Sequence, residues 1–255
     1  MKWTLLFFLT MISASIFAKP TVHIAVASNF IHPMKDIVAQ WPKSQDVDVR
    51  LSFGASGKFF AQIKNGAPFD IFLSADSDKP ARLVAEGYAK ADQLFTYGIG
   101  QLVLWSADAS LLGTTEPEWT SLTFSRLAMA NPRTAPYGQA AQQYINSKQL
   151  ARLLSGKIVT GENIAQTFAF VKSANAQLGF IALSQFMQLA IDQRGSHWFV
   201  PPHLHLPIQQ DSVLLNRGLN NQAAIYFFAY LQSAEVASII QSYGYQTFRG
   251  KDGTQ

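Results

Sequence analysis

Short apolar segments alternate with amphipathic ones in the first third of the chain, and this alternation constrains the fold more than any other feature. Residues 22–27 (VHIAVA) form a nearly continuous apolar run, typical of a strand buried on both faces of a parallel sheet. Residues 29–41 have the periodicity of a helix, residues 47–53 alternate like a half-buried strand, and another strand is predicted at residues 69–75. We therefore expect an α/β fold in which helices cover a mostly parallel sheet.

A second series of predicted strands and helices follows residues 97–105, which are predicted to form one long strand and a crossing between two domains. Residues 201–207 (PPHLHLP) give the strongest linker signal in the chain. The two crossings predict two lobes preceded by a signal peptide. The predicted boundaries are 1–18 for the signal peptide, 19–104 plus 206–255 for lobe I, and 105–205 for lobe II.

The N-terminus has the pattern of an export signal. Lys2 is followed by an apolar stretch over residues 5–17, which is too short for the ~20 residues that span a bilayer as a helix. Small residues then favour cleavage after Ala18, with a cut after Ser15 as the alternative. The chain has no Cys, which excludes disulfides and a lipid-modified N-terminal Cys. We expect a periplasmic protein, with free secretion as the second possibility.

The charge pattern gives no sign of a nucleic-acid or membrane partner. Charged residues are 14% of the chain, below the roughly 25% of average soluble domains, and the net charge is only +4. No stretch rich in Lys and Arg forms the basic stripe of a nucleic-acid binder. After residue 18, no segment reaches membrane-spanning length without a charge or a Pro, so we expect no membrane insertion.

The stretch at residues 54–58 (GASGK) resembles two phosphate or catalytic motifs without matching either. A P-loop fails because Ser52 and Phe59 stand where Gly and Ser or Thr are required. The nucleophile elbow G-x-S-x-G fails because Lys58 replaces the last Gly. A physical feature survives, because Ser56 lies at a strand-to-helix turn where free N–H groups and the helix dipole favour an anion.

The same arrangement recurs at three other predicted helix starts. Ser28 and Asn29 follow the first strand, residues 136–138 (PYG) open another helix, and residues 161–164 (GENI) open a third. Each junction alone has the pattern of an ordinary helix cap. Four junctions at the carboxyl edges of two sheets, where ligands of open α/β sheets bind, predict an anion site.

The evidence for catalysis or a resident metal is weak. His203 and His205 have metal-ligand spacing, but they lack a third ligand and lie between prolines. No Ser/His/Asp set can be assembled, so we expect no catalytic residues, no cofactor and no enzyme. An exported hydrolase that uses Ser56 is the alternative from another class.

Together, several segments resemble the periplasmic molybdate-binding proteins of ABC importers, and the resemblance covers nearly all of residues 21–248. The segments are AVASNF (25–30), FGASGK (53–58), NGAPFDIFLSAD (65–76), NP (131–132) followed by PYG (136–138), GEN (161–163), LGFIALSQ (178–185) and YGY (243–245).

The resemblance implies a two-lobed Venus-flytrap protein of the type II fold that closes on molybdate or tungstate. It also implies a monomer that delivers the oxyanion to the membrane permease of an ABC importer. The oxyanion donors implied are the hydroxyl and backbone groups of Ser28 and Ser56, the added donor Asn29, and the backbone N–H groups of Tyr137 and Ile164. The metal is then molybdenum only as the bound oxyanion.

The chain departs from one branch of this family, which has a ligand-contacting Tyr where this sequence has Ala182. Asn29 is the expected replacement for that phenol. A site made only of N–H and O–H donors fits a dianion without a proton, whereas hydrogen phosphate needs an acceptor. Sulfate has the same charge and shape, so a binding protein for sulfate, phosphate or another anion is the alternative function.

Overall fold

The computed structural model describes residues 19–247, which form two five-stranded sheets covered by helices. The strands are β1 (Thr21–Ala27), β2 (Asp48–Gly54), β3 (Ile71–Leu73), β4 (Ala89–Gly100), β5 (Leu102–Ser106), β6 (Leu127–Ala130), β7 (Ile158–Gly161), β8 (Leu178–Ala182), β9 (Ser196–Phe199) and β10 (Ile208–Leu215). The α-helices are α1 (Ile31–Gln40), α2 (Ser56–Lys64), α3 (Asp78–Ala85), α4 (Pro136–Ser147), α5 (Ile164–Lys172), α6 (Leu183–Phe186), α7 (Gln222–Tyr230) and α8 (Ala234–Ser242). The predicted signal peptide, residues 1–18, lies outside the described residues.

Both sheets combine parallel and antiparallel pairs. The first has the order β2-β1-β3-β10-β4, with β1 parallel to β2 and β3, and β10 antiparallel to β3 and β4. The second has the order β7-β6-β8-β5-β9, with β6 parallel to β7 and β8, and β5 antiparallel to β8 and β9. The predicted two-lobed α/β fold is confirmed, but the sheets are mixed rather than mostly parallel. The strands that enter each sheet from the other lobe run against their neighbours.

The chain crosses between the sheets twice. Strand β4 ends at Gly100 and β5 begins at Leu102, so residues 97–105 form two strands in different sheets rather than one long strand. The change of sheet therefore falls at Gln101, just before the boundary drawn at residue 104. The second crossing joins β9 to β10 and contains a short 3₁₀ turn at Pro202–Leu204.

Each lobe has its own hydrophobic core. In the first lobe, Phe30 of a 3₁₀ turn and Phe227 of α7 pack with the buried face of β1. In the second lobe, Tyr144 of α4 packs against Phe180 of β8 with their ring centroids 5.6 Å apart. These cores make each sheet a firm support for the loops at its edge, because close-packed interiors deform little.

Within residues 19–247, no single helix combines the length and apolar character needed to cross a bilayer; α7 and α8 meet that test only as a pair, which is bent by 62°.

Candidate binding site

A cavity of about 190 Å³, counting the part open to solvent, lies between the two lobes. It is bounded by the ends of β1 and β2 on one side and by the starts of α4 and α5 on the other. Its lining consists of Ala27, Ser28, Asn29, Gly54, Ala55, Ser56, Ala75, Ala135, Pro136, Tyr137, Asn163 and Ile164. This set contains no charged side chain and no His, so only uncharged groups of the described residues line the cavity.

The first lobe brings two serines to the cavity from neighbouring strands. Ser28 directly follows β1, and Ser56 is the first residue of α2, just after β2. Strands β1 and β2 are parallel, with Ala27 opposite Gly54, so both strands end at the same edge of the sheet. The two serines are almost completely buried there, with exposures of 4% and 1%.

Each serine hydroxyl has its proton free for a ligand. Oγ of Ser56 accepts a hydrogen bond from the backbone N–H of Ala75 at 2.9 Å. Oγ of Ser28 accepts a longer one, 3.4 Å, from the N–H of Ala165. A hydroxyl has one proton and two acceptor lone pairs, so a bond accepted from the protein orients the group and leaves it able to donate.

The second lobe supplies backbone donors at two helix starts. The N–H of Tyr137 in α4 and that of Ile164 in α5 make no hydrogen bond within the described part of the chain. First-turn N–H groups have no intrahelical acceptor, and they lie at the positive end of the helix dipole. Asn163 caps α5 by accepting from the N–H groups of Ala165 and Gln166, which leaves the N–H of Ile164 free.

Asn29 lies at the cavity, but its side-chain amide protons are used elsewhere. Nδ2 donates to Oε1 of Gln210 at 2.7 Å and to the hydroxyl of Tyr245 at 2.9 Å. In this arrangement the amide has no proton left for a ligand, and only the backbone N–H of Asn29 remains. Ala182 is buried and does not line the cavity; its N–H donates to Oε1 of Gln185 at 3.0 Å. The structure therefore provides no side-chain donor in place of the absent Tyr.

Buried polar residues behind the cavity were missed from the sequence. Gln210 of β10 and Tyr245 near the C-terminus bond to the amide of Asn29, and Tyr97 of β4 donates to Oε1 of Gln210. Burial raises the pKa of Tyr97 and Tyr137 well above the usual value and that of Tyr245 to about 12. These hydroxyls therefore stay protonated at neutral pH. Tyr137 and Tyr245 lie in the segments PYG (136–138) and YGY (243–245) that carry the family resemblance, whereas Gln210 and Tyr97 lie in none of those segments.

The lobes also touch beside the cavity. The N–H of Gly57 in α2 donates to the carbonyl oxygen of Thr134 at 2.9 Å, and Thr134 precedes α4 in the other lobe. Lys58 forms an ion pair with Glu162 at 2.8 Å, also between lobes, and both side chains are largely exposed. The first contact is a close backbone approach, and the second is a solvated pair worth little energy.

The geometry does not favour the hydrolase alternative. Ser56 has no His or carboxylate beside it in the cavity lining, so no general base can take its proton. His203 and His205 lie in the second crossing, in and next to the 3₁₀ turn. Across residues 19–247, no group of three or more His, Asp or Glu side chains is arranged to hold a metal ion.

The family model for bacterial extracellular solute-binding proteins matches residues 22–246. The chain belongs to this family. The molybdate-binding protein ModA of Azotobacter vinelandii is 44% identical over 224 residues, which cover 88% of this chain and 89% of the relative.

Two solved structures extend the comparison. The periplasmic molybdate-binding protein of Azotobacter vinelandii matches with a TM-score of 0.84 and 34% identity, covering 89% of this chain and 99% of that one. The substrate-binding domain of a putative molybdenum ABC transporter from Clostridium difficile matches with a TM-score of 0.65 and 25% identity, covering 89% and 99%. The resemblance found in the sequence is confirmed, as is the prediction of a solute-binding protein rather than an enzyme.

Proposed function

We propose that this protein captures molybdate, and tungstate as well, and delivers it to the membrane permease of an ABC importer. The observation that carries the proposal is a cavity between the lobes, lined by free N–H and O–H donors and by no charged side chain of the described residues. A tetrahedral dianion presents four acceptor oxygens at neutral pH. Helix N-termini and oriented donors stabilise such a charge without a buried counterion. The names of the relatives support the same ligand.

In this proposal, each lobe supplies part of the donor set. Ser28 and Ser56 donate through their hydroxyl and backbone N–H groups, and Tyr137 and Ile164 donate through their backbone N–H groups. Asn29 contributes its backbone N–H, because its amide protons are held by Gln210 and Tyr245. Neither lobe alone surrounds the anion, so binding favours the arrangement in which the lobes meet.

Sulfate and phosphate are the two anions that compete with molybdate, and sulfate differs from it in size whereas hydrogen phosphate differs in carrying a proton. Sulfate is a smaller dianion of the same shape, so the size of the cavity must discriminate against it. Hydrogen phosphate carries a proton that needs an acceptor. Oδ1 of Asn29 is buried with no partner among the described residues, and it could accept that proton. Phosphate is therefore a necessary competitor in any test of specificity.

The proposed cellular context follows from the N-terminal sequence and the family. Residues 1–18 act as a signal peptide cleaved near Ala18, and the mature chain works in the periplasm as a monomer. Its lobes are residues 19–104 plus 206–255 and residues 105–205, joined by the two crossings. No cofactor takes part, and no nucleic acid is bound.

Titration calorimetry of the refolded mature protein with molybdate, tungstate, sulfate and phosphate tests the proposal. We expect one site, with molybdate and tungstate bound much more tightly than sulfate or phosphate. Thermal unfolding with each anion gives an independent reading, because a ligand that binds only the native state raises the midpoint. Equal affinities for sulfate and molybdate, or tightest binding of phosphate, would overturn the assignment.

A further inference from the structure

Gln210 lies at the centre of a buried hydrogen-bond network behind the cavity, and its side chain has no exposed surface. Its Oε1 accepts from Nδ2 of Asn29 at 2.7 Å, and its Nε2 donates to the hydroxyl of Tyr137 at 3.1 Å. Gln210 belongs to β10 in the first lobe, whereas Tyr137 belongs to α4 in the second. One neutral side chain thus uses both of its polar atoms to join a first-lobe residue to a second-lobe residue.

Three further hydroxyls belong to this network. The hydroxyl of Tyr97 donates to Oε1 of Gln210 at 2.9 Å. The hydroxyl of Tyr245 accepts from Nδ2 of Asn29 at 2.9 Å and lies 3.0 Å from Oγ of Ser184. Oγ of Ser184, in α6 of the second lobe, donates to the carbonyl oxygen of Asn29 at 2.8 Å. We call these six residues the interlobe network; its members are Asn29, Tyr97, Tyr137, Ser184, Gln210 and Tyr245.

The interlobe network includes residues that carry or adjoin the proposed donors of both lobes. Asn29 follows Ser28 in the chain, so the bonds to its amide and carbonyl groups fix the turn that presents the Ser28 hydroxyl. Tyr137 carries one of the free backbone N–H groups, and its hydroxyl is the atom that Gln210 holds. The hydrogen bonds of a buried network hold its members in place, and breaking one of them leaves costly unpaired groups.

The backbone beside the network is shaped to admit it. Gly100, the last residue of β4, lies against the hydroxyl of Tyr137 and Nε2 of Gln210, and a Cβ at this position would overlap both atoms. The absence of a side chain at Gly100 therefore leaves room for Tyr137 of the second lobe to reach Gln210 on β10 of the first lobe.

We propose that Gln210 is a positioning residue for the oxyanion: it sets the distance between the first-lobe and second-lobe donors through Asn29 and Tyr137, without touching the ligand. This inference rests on the proposed function, because it assumes that the cavity binds an oxyanion. Gln is suited to the role because its amide donates on one side and accepts on the other while it adds no charge near a dianion.

The test uses the mature full-length protein and molybdate titrations of four variants. Gln210→Met keeps the length of the side chain and removes both hydrogen-bonding groups. Tyr137→Phe removes only the hydroxyl and keeps the backbone N–H. The third variant combines these two changes, and the fourth, Gln209→Met, is the matched control. Gln209 precedes Gln210 on β10, and among residues 19–247 its side chain bonds only to Thr96 and Asp211 of its own lobe.

We expect Gln210→Met to weaken molybdate binding about tenfold or more and Tyr137→Phe to weaken it severalfold. The double variant should bind no worse than Gln210→Met, because the Gln210–Tyr137 hydrogen bond that Tyr137→Phe removes is already absent in Gln210→Met. Gln209→Met should change affinity less than about twofold. If Gln210 had a purely structural role, Gln210→Met would lower the unfolding midpoint, but the affinity losses of Gln210→Met and Tyr137→Phe would not be coupled.

The outcomes separate the two proposals. Wild-type protein that binds none of the four oxyanions refutes the proposed function itself. Tight wild-type binding with unchanged affinity in Gln210→Met, or with fully additive losses in the double variant, overturns the positioning role and leaves the function standing. If Gln210→Met does not fold, Tyr137→Phe decides, because unchanged affinity in that variant also overturns the role.

Discussion

Gly57→Ala should weaken oxyanion binding by obstructing the contact between the lobes. A Cβ on Gly57 would lie 2.9 Å from Cα and 3.1 Å from the carbonyl oxygen of Thr134, which belongs to the other lobe. Carbon atoms in contact prefer about 3.5–4.0 Å, so the lobes must separate by several tenths of an ångström. That movement also strains the 2.9 Å hydrogen bond from Gly57 to Thr134. Overpacking and the weakened bond together cost about 1.5–4 kcal/mol, or roughly 10- to 1000-fold in the dissociation constant.

The assay combines molybdate titration with small-angle scattering. Wild-type protein should show a smaller radius of gyration when molybdate is added, and Gly57→Ala should show a reduced change. The matched control is Gly113→Ala, because a Cβ on Gly113 meets no atom within 4 Å. Ala also favours a helix more than Gly does, so the lower affinity should not come with a less stable first lobe. Wild-type affinity in Gly57→Ala would refute the claim that the lobes must approach this closely to hold the anion.

Three other substitutions or conditions give distinct expectations. Ser56→Ala should weaken molybdate binding by about 1.5–3 kcal/mol in titrations, and it should also lower the unfolding midpoint, because the buried N–H of Ala75 loses its acceptor. Normal binding in this variant would exclude Ser56 as a donor. Burial raises the pKa of Tyr137 well above its usual value and that of Tyr245 to about 12. The unfolded chain therefore loses these phenol protons at a lower pH than the folded chain does. The free energy of unfolding, measured in urea, should fall as pH rises from about 10 toward 12. An unchanged free energy of unfolding over that window would contradict the raised pKa values. Glu162→Gln removes only an exposed ion pair and should change affinity by less than about 1 kcal/mol at physiological salt, so a larger loss would show that this pair holds the lobes together.

The fold was predictable where a strand is buried on both faces and a helix has a clear stop. Strand β1 is a continuous apolar run in the sequence and is buried over most of its length. Helix α2 ends at Lys64, just before Gly66 with a φ of +83°, a conformation that Gly adopts without strain. Strand β7 was missed because it lies at a sheet edge and three of its four residues are partly or fully exposed. An edge strand lacks the apolar run on which the prediction depends.

The junctions of the candidate site were predictable because each one is local in sequence. Ser28, Ser56, Tyr137 and Ile164 each lie in the first turn of a helix or 3₁₀ turn, and all four line the cavity. Gln210 was not predictable in the same way, since its partners are 181 and 73 residues away in the chain. The amide protons of Asn29 bond to Gln210 and Tyr245, which are also distant in sequence. The sequence alone therefore could not show that these protons are already used.

The most direct test of the account is a crystal structure of the mature protein with molybdate, in which anomalous scattering locates the molybdenum. We expect one molybdenum atom in the cavity between the lobes. Its oxygens should lie about 2.7–3.1 Å from the hydroxyls of Ser28 and Ser56 and from the backbone nitrogens of Tyr137 and Ile164. Molybdate held by one lobe alone, or bound beside a Lys or Arg side chain, would contradict the claim that dipoles from both lobes hold the dianion without a countercharge.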